Sequence, residues 1–323
     1  MKRTWLVVVL LFVAAIAGLA FGTSDVINIW SFILNPFSDT ANVGHQIVWE
    51  IRGTRVAAAV LVGASLGIAG TLAQGSTNNP LAEPAILGTS AGAALGVLLG
   101  VLSNVVNVGS VGAVAFAAVG ALVVTSLVFS LAHSALSLIT VGIGVSAIVS
   151  ALVGLTLSAI DRPDARSISF WSFGSFALVT PDDLLILAPV MLVGFFTAWK
   201  IAPRLDLLSL GDAAVRHIGK HPQRIRFQSF IVLSVLVATS VSLVGVISFL
   251  ALAAPHIARF LFGPKNSLVV LNSAIIGALI LLIADIASRS LVPPYELPIG
   301  LLTSLLGAPI LIATLKRGKD VWR

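Results

Sequence analysis

IRGTRVAAAVLVGASLGIAGTLAQGSTNNPLAEPAILGTSAGAALG, residues 51–96, holds two apolar runs separated by a polar connection rich in Asn and Pro. The first run, 52–73, is about 20 residues long, the length of one helix through a hydrocarbon core. The second run opens at 84 and continues to 103. Backbone polar groups in lipid must be satisfied within the segment, so both runs are expected to be helices. Gly88, Gly92, Gly96 and Gly100 recur every four residues and form one stripe on a helix face, and Gly63, Gly67 and Gly70 do much the same in the preceding run. Small residues let helix backbones approach closely where no hydrophobic force drives helices together, so these glycines read as packing positions.

Working outward, further spans fall at about 4–22, 108–132, 138–160, 183–202, 227–244, 246–262, 270–289 and 298–315. Residues 227–262 are too long for one span and barely long enough for two, and Gly245 is the expected break. Composition agrees with a polytopic membrane protein. The 323 residues are 58% hydrophobic and only 10% charged, with mean hydropathy +1.06; soluble domains carry roughly 25% charged residues. No alternating ten-residue pattern points to a barrel, so the fold class is all-α. Cysteine is absent, which excludes disulfides and thiolate metal sites. Pro189, Pro255 and Pro309 lie inside apolar runs and suggest locally broken, cavity-lining helices.

Charge supplies the orientation. Ten spans with both ends cytoplasmic place fourteen Lys and Arg inside and five outside, accounting for all 19. The outside five are Arg52, Arg55, Arg162, Arg166 and Arg289. Basic residues favour cytoplasmic loops, so the net charge of +6 reads as a basic inner face rather than as nucleic-acid binding. Six aspartates fall outside: Asp25, Asp39, Asp161, Asp164, Asp182 and Asp183. Lys2, Arg3, the apolar run and the small residues near 17–20 also resemble a cleavable signal peptide, but a polytopic chain usually keeps its first span, and 4–22 is expected to be retained.

Two polar features invite function. The stretch 203–226, PRLDLLSLGDAAVRHIGKHPQRIR, is the longest cytoplasmic connection. Asp212 could start a short helix that Gly219 ends. Such a helix suits docking onto a cytoplasmic partner, and a basic loop held near anionic lipid fits equally well. His217 and His221 lack a third ligand, so no metal site is expected. Arg52 and Arg55 share one helix face near the outer surface, and Arg289 sits at the outer end of another span. They either receive an acidic extracellular partner or snorkel to the interface. Asp285 is the only acid well inside a span, which makes it a candidate for proton or sodium coupling or for a structural cap.

The chain has no phosphate-binding loop of the Gly-x4-Gly-Lys-Ser/Thr type, no zinc-protease or nucleophile-elbow motif, and no dinucleotide fingerprint. An enzyme is therefore not expected, nor is a cofactor. Energy for uphill transport must come from an ion gradient or from a separate ATPase.

Several strings together resemble the FecCD family of ABC permeases, which import iron-siderophores, haem and cobalamin. The matching positions are Arg52, Arg55, Gln74, Asn79, Pro80, Leu81, Ala82, Pro84, Leu87 and Gly88 in the opening stretch. FWSFGSF (170–176), LSLGDAAVRHIG (208–219), APHIAR (254–259) and the region 284–315, through Asp285, Arg289, Glu296, Pro298, Gly300, Thr303, Gly307 and Pro309, match in order. Departures are Gly53-Thr54, where the family has a proline before the second arginine, and Asn78, where arginine is common.

The resemblance implies a single transmembrane permease domain over 1–323, of about ten helices in two inverted halves, in a bacterial cell membrane. It implies a second permease subunit, identical or paralogous, a cytoplasmic ABC ATPase dimer, and an extracytoplasmic substrate-binding protein. Leu210, Gly211, Ala214, Arg216 and Gly219 would couple to the ATPase. Arg52, Arg55 and Arg289 would dock the binding protein. Gln74, Asn79, Pro80, Pro84, Gly88, Asp285, Pro298 and Gly300 would form pathway or structural motifs. The default cargo it implies is a ferric siderophore, the commonest family substrate, with haem and cobalamin open beside it, and the rival is an ion-coupled transporter using Asp285.

Overall fold

Helix after helix fills the chain because apolar runs leave the backbone no partner but itself. The structure is a computed structural model that describes residues 2–22, 26–27, 29–36, 42–107, 110–132, 134–158 and 171–317. Asp25, Asp39, Asp161, Arg162, Asp164, Arg166, Phe170, Lys319 and Arg323 lie outside the described residues. Among those described, all regular structure is helical: α1 (Lys2–Ala20), α2 (Ile29–Leu34), α3 (Val43–Gln46), a π-helical stretch (Ile47–Gly53), α4 (Thr54–Thr77), α5 (Thr89–Leu102), α6 (Val111–Leu131), α7 (Ala135–Ser158), α8 (Pro181–Leu208), α9 (Asp212–His217), α10 (Pro222–Val244), α11 (Leu250–Phe262), α12 (Asn266–Ser290) and α13 (Ile299–Arg317).

Seven of these segments are long and apolar enough to cross a membrane, and α5, α11 and the start of α13 are shorter apolar helices. The α4 segment runs unbroken from Val43 to Thr77, longer than the span expected from 52. The π-helical turns carry the helix through Glu50 and Arg52, so Arg52 and Arg55 lie within the helix rather than at its mouth.

The helix α4 is the axle of the molecule. Nineteen of its 24 residues are buried, and it packs against α8, α10, α11 and α12. Its glycines explain how. A Cβ on Gly63 would press on the Gly277 carbonyl of α12, and one on Gly277 on the Gly63 carbonyl. The pair is a reciprocal backbone contact that only glycine permits. Gly92 of α5 and Gly120 of α6 make a second such pair.

The breaks fall elsewhere than the prolines suggested. Helices α8, α11 and α13 run straight through Pro189, Pro255 and Pro309. Pro255 has no N–H to offer the Ala251 carbonyl one turn back. Gly70 of α4 closes on that carbonyl so tightly that a Cβ would overlap it. The actual breaks are the turns over 78–88 and the interruption after Val244, where Gly245 has φ +78. A Cβ on Gly245 would collide with the Trp171 carbonyl, so the break requires glycine.

Candidate functional site

Four clusters of polar groups punctuate this apolar bundle, and each ties helix ends together. The first lies at the Arg52 end of α4. The Arg55 guanidinium donates to Asp285 Oδ1 through Nη2 at 2.8 Å and Nε at 3.2 Å, and to Glu296 through Nη1 at 2.7 Å. Arg289 Nε stands 3.2 Å from Asp285 Oδ2, and its Nη2 donates to the Gly18 carbonyl at 2.7 Å. Arg52 donates to the carbonyls of Leu19 and Ala20 at 3.0 and 2.8 Å. These carbonyls end α1, where backbone acceptors lack helical partners and cations are favoured. Arg52, Arg55 and Arg289 are 4%, 7% and 3% exposed. The three cations expected to face an external acid are therefore engaged inside the chain in this conformation. Asp285, read as the only acid well inside a span, is fully buried between two arginines.

The second cluster joins the two breaks. Glu83, from the 78–88 connection, accepts the Phe249 N–H at 2.9 Å at the start of α11. Ser146 of α7 donates to the Ala85 and Ile86 carbonyls at 2.9 and 3.1 Å. Asn79 accepts the Leu81 N–H at 2.9 Å, an Asx turn that bends the chain into Pro80. Gly88 has φ +80 at the start of α5, against Val124. Across the bundle, Ser175 N–H donates to the Val244 carbonyl at 2.9 Å, while Ile299 and Gly300 donate to the Gly174 and Phe173 carbonyls at 2.9 and 3.0 Å. Pro298 accepts from Leu301 and Leu302 and opens α13 there. Irregular backbone inside a bundle is tolerated where other segments complete its hydrogen bonds, as here.

The third cluster surrounds a cavity of about 670 Å³ at the far end of α4. Gln74 donates to the Leu252 carbonyl at 3.3 Å and accepts a bond from Arg259. Arg259 also donates to Asn266 at 3.2 Å, and Asn266 donates to Asp206 through its backbone and side-chain nitrogens at 2.7 and 2.9 Å. One polar chain thus links α4, α8, α11 and α12. Asn79 and Pro80 line the same cavity.

The fourth cluster anchors α9. Asp212 accepts two bonds from Arg226 of α10, at 2.9 and 2.7 Å, and Arg226 Nε donates to the Ser76 carbonyl at 3.0 Å. Bidentate Arg–carboxylate pairs are among the stronger and more directional contacts. The Arg226 guanidinium, helped by Arg216, holds the Asp212 carboxyl below the usual carboxylate range. Val215 is fully buried beneath the short helix, whereas Leu210, Gly211, Arg216 and Gly219 are exposed and Ala214 is half-buried. Gly211 and Gly219 have φ +87 and +72 and frame the helix.

Sequence reasoning missed Glu83, Asp206, Arg226 and Asn266 as site residues. The only available signals were Glu83 directly before Pro84 and the acid–base spacing of Asp212 and Arg226 across a short helix.

Comparison with known proteins gives this geometry its context. A "Probable iron chelatin transport system permease protein" of Helicobacter pylori (strain ATCC 700392 / 26695) is 37% identical over 278 residues, covering 85% of this chain and 84% of that protein. The vitamin B12 import system permease protein BtuC of Vibrio cholerae is 35% identical over 294 residues, covering 89% and 88%. A solved structure described as an inward-facing conformation of a metal-chelate type ABC transporter superposes with TM-score 0.86 at 29% identity, covering 98% of this chain and 99% of that one. The FecCD transport family model matches residues 7–317, and the chain, a multi-pass membrane protein, belongs to the FecCD transport family.

Proposed function

We propose that this chain is the membrane-spanning subunit of an ABC importer for an iron chelate, switched between outward and inward openings by a separate ATPase dimer. The observation that carries the reading is the clamp from α9 to the core. Exposed Leu210 and Arg216 sit just before and on a short helix that Asp212 and Arg226 fasten to α10, and Arg226 reaches the Ser76 carbonyl at the end of α4. Force applied to α9 is thereby delivered to the axle of the bundle, one turn from the 78–88 connection. Leu210, Gly211, Ala214, Arg216 and Gly219 form the surface that meets the ATPase. Substituting Arg216 is expected to uncouple ATP hydrolysis from uptake with membrane insertion intact.

The chain works with a second permease subunit, identical or paralogous, and with an extracytoplasmic binding protein. Ten crossings with both ends cytoplasmic put α9 inside and Arg52 outside. The docking contribution of Arg52, Arg55 and Arg289 is positional: they lock α1, α4 and α12 together and hold the partly exposed Glu296 at the rim. The iron-chelate relative supports this choice of cargo, and the B12 relative marks the chemical neighbour to be tested beside it. Asp285, flanked by two guanidiniums, carries no coupling ion in this reading. Uptake of ferric siderophore, haem and cobalamin into cells expressing the intact transporter tests the cargo. Uptake of the ferric chelate alone is expected, and uptake of cobalamin alone contradicts the choice.

A further inference from the structure

Two cavities meet in the groove between α8 and α10, and neither belongs to the clusters above. One, of about 480 Å³, is lined by Arg204, Lys220, His221 and Arg224, with Gln228 at its inner side. Among the described residues no carboxylate lines it, so three cations converge there without an acid. The other, of about 350 Å³, continues along the same groove toward the middle of both helices. Its walls are Thr197, Ile201, Ile231 and Val232, with Lys200 beside them. Arg204 and Gln228 line both cavities and bond each other at 3.0 Å, so a cationic mouth opens directly into an apolar channel.

The depth of the groove is marked independently. Trp199 and Phe196 of α8 are 55% and 54% exposed, and Lys200 Nζ lies 4.2 Å from the Phe196 ring centre. Exposed Trp and Lys at the end of an apolar span mark the membrane–water interface. The mouth therefore stands at headgroup level and the channel at the level of the first acyl carbons.

We propose that this groove is a binding site for an anionic glycerophospholipid. The phosphate sits among Arg204, Lys220 and Arg224, and one acyl chain lies along Ile201, Ile231 and Val232. Basic pockets between membrane helices on the cytoplasmic side suit anionic headgroups, and each nearby cation adds to the attraction. The apolar channel distinguishes this ligand from a free anion, which has no use for it. Such a lipid would brace α8 against α10, on either side of α9, and the site stands whether or not α9 meets an ATPase.

Native mass spectrometry of the purified full-length chain, titrated with phosphatidylglycerol or phosphatidylethanolamine of matched acyl chains, tests the proposal. The wild type is expected to prefer phosphatidylglycerol by roughly tenfold or more, the effect of a few interfacial cations. Arg204→Gln with Arg224→Gln should bring the two lipids to parity. Ile231→Trp, at a half-open position that tolerates bulk, should weaken phosphatidylglycerol retention severalfold with every charge in place. Equal binding of both lipids by the wild type overturns the proposal. Displacement of the lipid by millimolar inorganic phosphate, with Ile231→Trp unaffected, makes the mouth a free-anion pocket and overturns it too. Loss of the preference once an ATPase subunit is bound assigns the face to protein and does the same.

Discussion

Arg55 is held by two acids, and its removal would leave Asp285 facing Arg289 alone in a fully buried site. Breaking a buried ion pair from one side costs about 3 kcal/mol or more. Arg55→Met is therefore expected to lower the thermal midpoint of the detergent-purified protein, and Arg55→Met with Asp285→Asn to recover much of the loss. A double variant no more stable than the single one would contradict the pairing. Asp212 behaves differently. Arg226 depresses its carboxyl, so the pair's contribution is complete above the ordinary carboxylate range, about pH 4. It is lost only as pH falls through the lowered value. At neutral pH the pair is intact, and Asp212→Asn should flatten the acid limb of a stability–pH curve. An unchanged acid limb would remove Asp212 from the clamp. The role of Arg226 was not legible from the chain, because a basic residue in a basic loop looks the same whether it is solvated or bidentate. Arg52, Arg55 and Arg289 were legible as a set, but their burial was not: the π-helical turns before Thr54 leave no periodic signature.

At the scale of elements, the glycine stripes announced their use. Small residues at helical spacing have one plain physical meaning in lipid, and Gly63, Gly67, Gly92 and Gly96 all meet backbone of a neighbouring helix. Gly144 and Gly154 meet nothing within 4 Å. Gly67→Val is therefore expected to abolish a folded species by fluorescence size-exclusion, because its Cβ would strike the Ser273 carbonyl. Gly144→Ala should be neutral or slightly stabilising, since alanine is the better helix former. Equal tolerance at both sites would refute the close-packing account. The broken elements were less legible. Gly245 marked its own break through the chain length around it, whereas prolines were poor guides: Pro255 stays in a helix, with Gly70 of α4 packed against the Ala251 carbonyl one turn back. Glu83 caps α11 from a distant connection. Glu83→Ala should speed hydrogen exchange at Phe249 and the turn that follows, at a cost of about 1 kcal/mol, the usual value of a helix cap. Unchanged exchange there would show that the cap does not hold the break.

Across the described part of the molecule, the buried charges of an apolar bundle tie helix ends together. Composition alone revealed the membrane class, and the match over 7–317 shows the family. What a single chain's pattern cannot hold is the set of contacts that fasten the short helix to the bundle, since Asp212, Arg226 and Ser76 meet only after three helices pack. The central claim is that motion enters through α9 from an outside motor. Reconstitution of the permease with its ATPase and binding protein in proteoliposomes, comparing wild type with Arg226→Met for ATP-dependent uptake of radiolabelled ferric siderophore, tests it most directly. The account predicts uptake only when ATP and ATPase are present, and in Arg226→Met continued ATP hydrolysis with uptake reduced at least tenfold, the loss of about 1.4 kcal/mol of coupling. Uptake by the chain alone under an ion gradient, or full coupling in Arg226→Met, would contradict it.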